Sequence, residues 1–580
     1  MLTGDNTLST VELLDALRDI VGGRHLLTSE RTTRRYRTGY RFGAGGVLAV
    51  VRPGSLIEQW RVVKACVQAG AIVIMQAANT GLTGGSTPRS EGYDRPVVMI
   101  STRRLKGVRL IDGGRQVLCF PGATLYELER LLGPLGREPH SVIGSSCIGA
   151  SVVGGICNNS GGALVRRGPA FTQLALFARV DEAGQLALVN HLGMDLGHDP
   201  ETILTRLERG DYTDGDIRHD PALCASASDY EDRVRAVDEG DPVRFNADPA
   251  RLYEASGSAG RVIVFAVRLD SFEADHGGGT FYIGTNDPAD LTRIRRDILS
   301  GFVHLPISGE YIHRGAFDMA ALYGKDTFLA IERLGTERLP MLFAVKAWID
   351  DLASRVGLRR ASLSDRLLQF ATRLFPQHLP ARMRDFRDRF EHHLILKVSG
   401  EGLDEARAYL AQLPRASADV FECSPEEARK AFLHRFAVAG AAVRYRAIHT
   451  RTVEDIIAID VALPRNADTW VEVLPPDLEA RIVRKIYYGH FFCHVFHQDY
   501  AAAKGVDPHR LEEAILRTLD ARGAEYPAEH NVGHLYAAKP ALARFYRELD
   551  PGNRFNPGIG KTSAWADWAD GEKPGTDTAP

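Results

Sequence analysis

No C-x-x-C pair occurs among the seven cysteines of this chain, Cys66, Cys119, Cys147, Cys157, Cys224, Cys423 and Cys493. Their odd number and scattered spacing exclude a disulfide framework and a zinc knuckle, and they fit a reducing compartment. No apolar run approaches the roughly 20 residues that a membrane-spanning helix requires. The stretch from Met1 to Arg18 carries Asp5, Glu12 and Asp15 and lacks a basic-then-apolar layout, so no signal peptide is expected. A surplus of one charge is also missing. Lys and Arg number 71 against 74 Asp and Glu, a net charge of −3, so no nucleic acid partner is implied. Neither G-x-G-x-x-G with a following acid nor G-x-x-x-x-G-K-[ST] occurs, which sets aside the conventional dinucleotide fold and the P-loop.

What is present is ordinary globular composition, 44% hydrophobic and 25% charged over 580 residues, enough for two to four domains. Leu48 to Val51 reads as a buried strand stopped by Pro53-Gly54. Ser55 and Glu58 then form a capping box for a helix with Leu56, Trp60, Val63 and Val67 on one side, ending near Gly70. Ala71 to Met75, Val97 to Ile100 and Val117 to Phe120 are further strands, and Thr124 caps a helix ending near Gly133. This strand–helix–strand order predicts an α/β arrangement with a ligand loop at a strand's C-terminal end.

Directly after the strand at 71–75 comes Ala77-Ala78-Asn79-Thr80-Gly81-Leu82-Thr83-Gly84-Gly85-Ser86-Thr87, and later Gly154-Gly155-Ile156-Cys157-Asn158-Asn159-Ser160-Gly161-Gly162. Side chains this small let backbone N–H groups close on an anion. Each run alone could be a tight turn; together they predict a nucleotide-derived cofactor. A second concentration lies near the C-terminus, where five of the 19 histidines (His490, His494, His497, His530 and His534) fall close together, with Glu529 among them. Imidazoles titrating near neutrality suit proton abstraction from a hydroxyl, and beside a carboxylate they also suit a divalent metal.

The runs 76–87, 137–151 and 154–162 resemble the FAD domain of the vanillyl-alcohol-oxidase type. More narrowly, nearly the whole chain, to the ending Asn556-Pro557-Gly558-Ile559-Gly560-Lys561, resembles the family of respiratory quinone-dependent D-lactate dehydrogenases. The resemblance implies an α+β fold: a two-subdomain FAD-binding domain over 1–270, completed by 525–580, an α/β cap over 271–311 and 391–524, and a basic membrane-binding insertion over 312–390. It implies FAD with its pyrophosphate on Ala77, Ala78, Asn79, Thr80, Gly81, Gly85 and Ser86, and further contacts at Gly144, Ser151, Gly161 and Val264. Many relatives attach FAD through a histidine in the first loop; none is present here, so non-covalent FAD is expected.

Relatives that oxidise D-2-hydroxy acids show G-H-x-G-D-x-N-x-H and E-H-x-x-G. His490 and His497 keep the first motif's separation, and Glu529, His530 and Gly533 fit the second. The resemblance makes His530 the base that takes the hydroxyl proton of D-lactate while hydride passes from C2 to flavin N5, with His490, His497 and Glu529 around the substrate or a metal. The G-D-x-N core is missing at Phe492-Cys493-His494-Val495, so no metal is assigned. A substrate carboxylate needs a planar cation. Arg435 matches the family's arginine near substrate; a surface arginine in a salt bridge is the other reading.

Nine arginines, Arg355, Arg359, Arg360, Arg366, Arg373, Arg382, Arg384, Arg387 and Arg389, are interleaved with apolar residues such as Leu367, Phe370, Leu374 and Phe386. They read either as a solvated helical face or as an element lying on anionic lipid. The resemblance favours the second, a peripheral protein on the cytoplasmic side of the inner membrane that passes electrons to quinone. A soluble flavin oxidase using O₂ and a non-catalytic membrane-associated nucleotide-binding protein are the alternatives.

Overall fold

Short apolar runs bounded by turn residues become strands and build three main sheets in the computed structural model, which describes residues 8–39, 41–140, 149–335, 363–413 and 417–569. In the first sheet, Ala49–Val51 and Ile72–Gln76 both run parallel to the central strand Val97–Ser101. Parallel neighbours need a crossover, supplied by the helix Leu56–Gln68. The Ser55 side chain accepts from Glu58 N, as expected. The reciprocal half of the capping box is corrected: the Glu58 carboxylate accepts from Gly54 N at 2.6 Å instead, one residue too early to close the box. At Thr124 both halves form.

The second sheet is antiparallel and five-stranded, in the order Val108–Ile111, Gln116–Cys119, Ile263–Asp270, Ala175–Val180 and Leu186–Asn190. The third is antiparallel and seven-stranded: Ala418–Glu422, Gly279–Thr285, His392–Val398, Ser308–His313, Ile482–His490, Val495–Ala503, then Val453–Ala462. It is buried on both faces, as the alternation of a strand requires. Phe281, Leu394 and Ile459 enter one core, whereas Tyr282, Ile395 and Ile486 enter another with the helices Arg314–Tyr323 and Pro425–Ile448. The expected boundary at 312 falls inside the strand Ser308–His313, because Ile312 is a fully buried core residue of that strand.

The chain's end returns to the first sheet. Phe555 lies parallel to Val73, with Val73 N donating to Arg554 O at 3.0 Å and Asn556 N to Val73 O at 2.9 Å. The Asn556 amide then donates to Gly85 O and Ala259 O, tying together segments that are distant in sequence.

Of the arginine-rich stretch, Arg355, Arg359 and Arg360 lie outside the described residues. In the helix Ala381–Arg389 three of the four arginines have partners, Arg382 on Glu427, Arg387 on Asp318, and Arg389 on Asp385 and Asp419, while Met383 and Phe386 are core. The preceding helix, Leu363–Ala371, differs. Leu367, Phe370 and nearby Leu374 are 60%, 66% and 81% exposed. Among the described residues no helix is long and apolar enough to cross a membrane.

Candidate active site

A cavity of about 930 Å³ lies between the two antiparallel sheets and the first glycine loop. Its floor is the loop after Ile72–Gln76. None of the backbone N–H groups from Ala77 to Ser86 donates a hydrogen bond among the described residues, so a run of donors stands unspent along an open wall. The loop is nonetheless held in shape. Asn79 takes a left-handed conformation (φ 56°), its amide donates to Thr38 O at 2.9 Å, and its carbonyl accepts from Ser86 Oγ at 3.2 Å. A Cβ added at Gly81 would meet nothing within 4 Å. Preformed, unpaired N–H groups beside empty space are what a cofactor's diphosphate needs, so the residues present fit FAD.

The opposite wall is one face of the seven-stranded sheet. Residues opposite each other in an antiparallel ladder share a face, and the register aligns Glu310 with His490, and Asp460 and Tyr488 with His497. These polar side chains therefore converge at one end of a face that is otherwise core. His490 Nδ1 lies 2.7 Å from Glu310 Oε1 and its Nε2 lies 3.3 Å from Glu529 Oε2. Burial alone would keep this ring neutral, but the two carboxylates outweigh it and push its pKa up to about 10. Glu529 turns its other oxygen to the buried Arg244, which also donates to Gly162 O at 2.5 Å. A Cβ at Gly161 would sit 2.7 Å from Glu529 Oε1, so glycine there makes room for the carboxylate.

His530 lies beyond the sheet, its Nδ1 2.7 Å from Asp460 Oδ2. Asp460 also accepts from Glu529 N at 2.6 Å, which fixes the acid against both residues. Burial lowers the His530 pKa, but Asp460 outweighs it and raises the value above that of an ordinary histidine. With Nδ1 held, Nε2 is left for the cavity, which the ring borders. His497 sits farther from its acids, 3.4 Å from Asp460 and 3.9 Å from Glu529; burial prevails and lowers it to about 4. Ring and carboxylate atoms of His490, His497 and Glu529 lie within 4.8 Å of one another, close enough to share a cation, although His490 here directs both nitrogens to carboxylates.

Arg435, on the helix Pro425–Ile448, is buried. Its Nε lies 2.9 Å from Glu310 Oε2 and its guanidinium stands 4.5 Å from the Tyr488 ring centre. The reading of a surface salt bridge is thereby set aside: the ion pair exists, but inside the cavity wall.

The structure brings together His530, Arg435, His490, His497 and Glu529 with Ala77, Ala78, Asn79, Thr80, Gly81, Gly85, Ser86, Ser151, Gly161 and Val264 around one cavity. Gly144 lies outside the described residues. The Val264 carbonyl already accepts from Gln59 Nε2 at 3.0 Å. The second glycine run needs correcting as a loop, because Gly154 and Gly155 are inside the helix Val152–Cys157, capped by Ser151. Two of the five clustered histidines are structural. His494 is buried against Pro464 O at 2.9 Å, and His534 bonds Thr87 O at 2.8 Å.

Sequence reasoning missed Asp460, Glu310 and Arg244. Each leaves a faint signal, a lone charge inside an apolar stretch: Ile459-Asp460-Val461, Gly309-Glu310-Tyr311-Ile312 and Val243-Arg244-Phe245. A charge in a buried strand requires a partner; the sequence does not say which.

Comparison with known proteins adds to this geometry. Residues 47–188 match the FAD binding domain family, and residues 280–568 match the family described as D-lactate dehydrogenase, membrane binding. The chain is similar to the quinone-dependent D-lactate dehydrogenase of Escherichia coli (strain K12), at 56% identity over 99% of this chain and 100% of that one. The protein of the same name from Corynebacterium glutamicum is 46% identical over 98% and 99%. Among solved structures, p-cresol methylhydroxylase with substrate bound superposes with a TM-score of 0.56 at 12% identity, covering 97% of this chain and 98% of that one. Alkyldihydroxyacetonephosphate synthase gives 0.55 at 13%, over 96% and 86%. These last two establish the fold, an α+β architecture shared with both of them.

Proposed function

Because this chain belongs to the family of quinone-dependent D-lactate dehydrogenases, we propose that it oxidises D-lactate to pyruvate with FAD and passes the electrons to a membrane quinone. The observation that carries the reaction is the Asp460–His530 pair at 2.7 Å, whose histidine borders the same cavity as the unspent N–H groups of Ala77 to Ser86. Bound there without a covalent link, FAD supplies the hydride acceptor, N5, for the hydrogen on C2.

The chain's own residues do the rest. His530 Nε2 takes the hydroxyl proton, while Asp460 fixes the ring's tautomer and stabilises the imidazolium that forms. Arg435 and the protonated His490 present positive charge to the substrate carboxylate, and Glu310 between them holds both in place. Glu529, anchored by Arg244, positions His490 from the other side. On this reading the FAD-binding portion is 1–270 with 525–580, the cap is 271–313 and 391–524, its first limit moved from 311 to the end of the strand Ser308–His313, and the membrane-associating elements lie within 314–390.

For the membrane, the described part of that segment favours apolar contact. Leu367, Phe370 and Leu374 project from beside the partnered arginines, so we assign them to the lipid boundary and the basic residues of 355–389 to anionic headgroups on the cytoplasmic side of the inner membrane. An O₂-using oxidase is not favoured, since the curated relatives share the quinone-dependent name. The test is a visible spectrum under anaerobic conditions. D-Lactate should bleach the flavin band and L-lactate should not; bleaching by both, or by neither, overturns the proposal.

A further inference from the structure

The cavity does not stop at the histidines. It continues along one face of the helix Pro425–Ile448, where Phe432, Phe436, Ala439, Gly440 and Val443 line it. Their spacing of three to four residues makes a single stripe, and the eleven residue-to-residue rises from Phe432 to Val443 span about 16 Å. The opposite face is ordinary core: Ala431, Val438 and Ala441 pack with Phe317 and Ala320. The stripe itself is open, with Phe436 38% and Val443 50% exposed. A Cβ added to Gly440 meets no described atom within 4 Å. An outward helix face is expected to be polar; this one is apolar, aromatic at Phe432 and Phe436 and small at Ala439 and Gly440.

Its two ends are informative. At one end stands Arg435, inside the candidate active site. At the other the cavity reaches Thr327 and Asp365, where Arg444 Nε lies 3.3 Å from Asp365 and a second nitrogen pairs with Asp326. Asp365 belongs to the helix Leu363–Ala371, the same helix that carries the exposed Leu367 and Phe370. The stripe thus joins the proposed site of proton abstraction to the proposed lipid boundary without a charged side chain between Arg435 and Arg444.

We propose that this stripe is the binding groove for the lipid-soluble quinone, with the dione ring at the Phe432–Phe436 end and the apolar tail over Gly440 and Val443 toward Leu367. The proposal rests on the quinone-linked reaction given above and names where that acceptor sits. Phenylalanine faces suit a flat, uncharged ring, and small apolar walls suit an aliphatic chain. The overall balance is plain: lactate loses two electrons and two protons on becoming pyruvate, and the quinone gains two electrons and two protons and leaves as the quinol.

The experiment uses the FAD-loaded full chain in detergent micelles. Gly440→Leu fills the groove from an exposed helix face. The rate with a short-chain quinone, relative to the rate with a soluble dye acceptor, should fall about tenfold, the scale expected for overpacking a close-fitting site. Independently of turnover, a photoreactive azidoquinone should label peptides from 425–448 in the wild type, and labelling should drop in Gly440→Leu and persist in Gly440→Ala. An unchanged rate ratio, or label that falls elsewhere, overturns the groove. Anaerobic bleaching by D-lactate is read separately: its failure would remove the lactate reaction, whereas the labelling still reports where a quinone binds.

Discussion

Two groups of histidines, one fully buried and one partly buried, behave in opposite ways. Around Phe317 lie His434, with ring centres 4.3 Å apart, and His393 at 5.7 Å, with His378 beside Phe328 at 4.6 Å. Burial lowers these three to about 3, about 3 and about 4, so they are neutral. His393 and His490 both sit on the seven-stranded sheet, yet His490 is held protonated by Glu310 and Glu529. Within the site the same rule grades the response. A carboxylate at 2.7 Å raises His490 and His530, whereas carboxylates at 3.4 Å and beyond leave His497 lowered by its burial. Desolvation acts on all six rings; only contact with an acid reverses it.

That contrast can be broken in four places. The largest effect is expected at His530→Gln, which should retain FAD and lose roughly 10² to 10⁴ in kcat, the usual contribution of a general base; steady-state kinetics with a flavin spectrum check it. Next, Glu529→Gln leaves Arg244 buried without its anion, and stability should fall by about 3–5 kcal/mol in urea unfolding. It should also lower the His490 pKa, read by NMR titration.

Asp460→Asn is a finer test. Because Asp460 raises the His530 pKa, the base form exists above that raised value, and activity is lost as pH falls through it. Removing the acid should shift the acid limb of kcat/KM to lower pH while the plateau drops roughly tenfold. The smallest effect belongs to His393→Phe, within about 1 kcal/mol of wild type at neutral pH, because an unbonded buried polar group is replaced by an apolar one of similar shape. Wild-type His393 is neutral when folded but takes a proton when unfolded below about 6.5. Its depressed pKa therefore costs stability as pH falls from there toward about 3, and thermal melts of the variant should decline less over that range. A cost at His393 comparable to that at Glu529 would erase the distinction between the two groups.

Much of the site was legible beforehand. The glycine loop after the strand ending at Gln76, and the His490, His497, Glu529 and His530 set, could be found because small residues and clustered imidazoles stand out along a chain. His494 and His534 carry the same local signal but bond backbone carbonyls, which no spacing reveals. Glu310, Asp460 and Arg244 were not found, since each is a single charge in an apolar stretch whose partner lies 70 to 285 positions away. Gly154 and Gly155 read as loop residues yet form a helix, where the Ser151 cap and burial of Val152 and Ile156 override glycine's low propensity.

The sequence by itself determined which side chains were available and most of the strands and helices that carry them, because propensity, capping and apolar periodicity act over a few residues. The tertiary structure alone decided which imidazoles are charged and which stay neutral. Strand register sets whether a carboxylate stands 2.7 Å away or is absent, and in a desolvated interior that separation outweighs everything intrinsic to the ring.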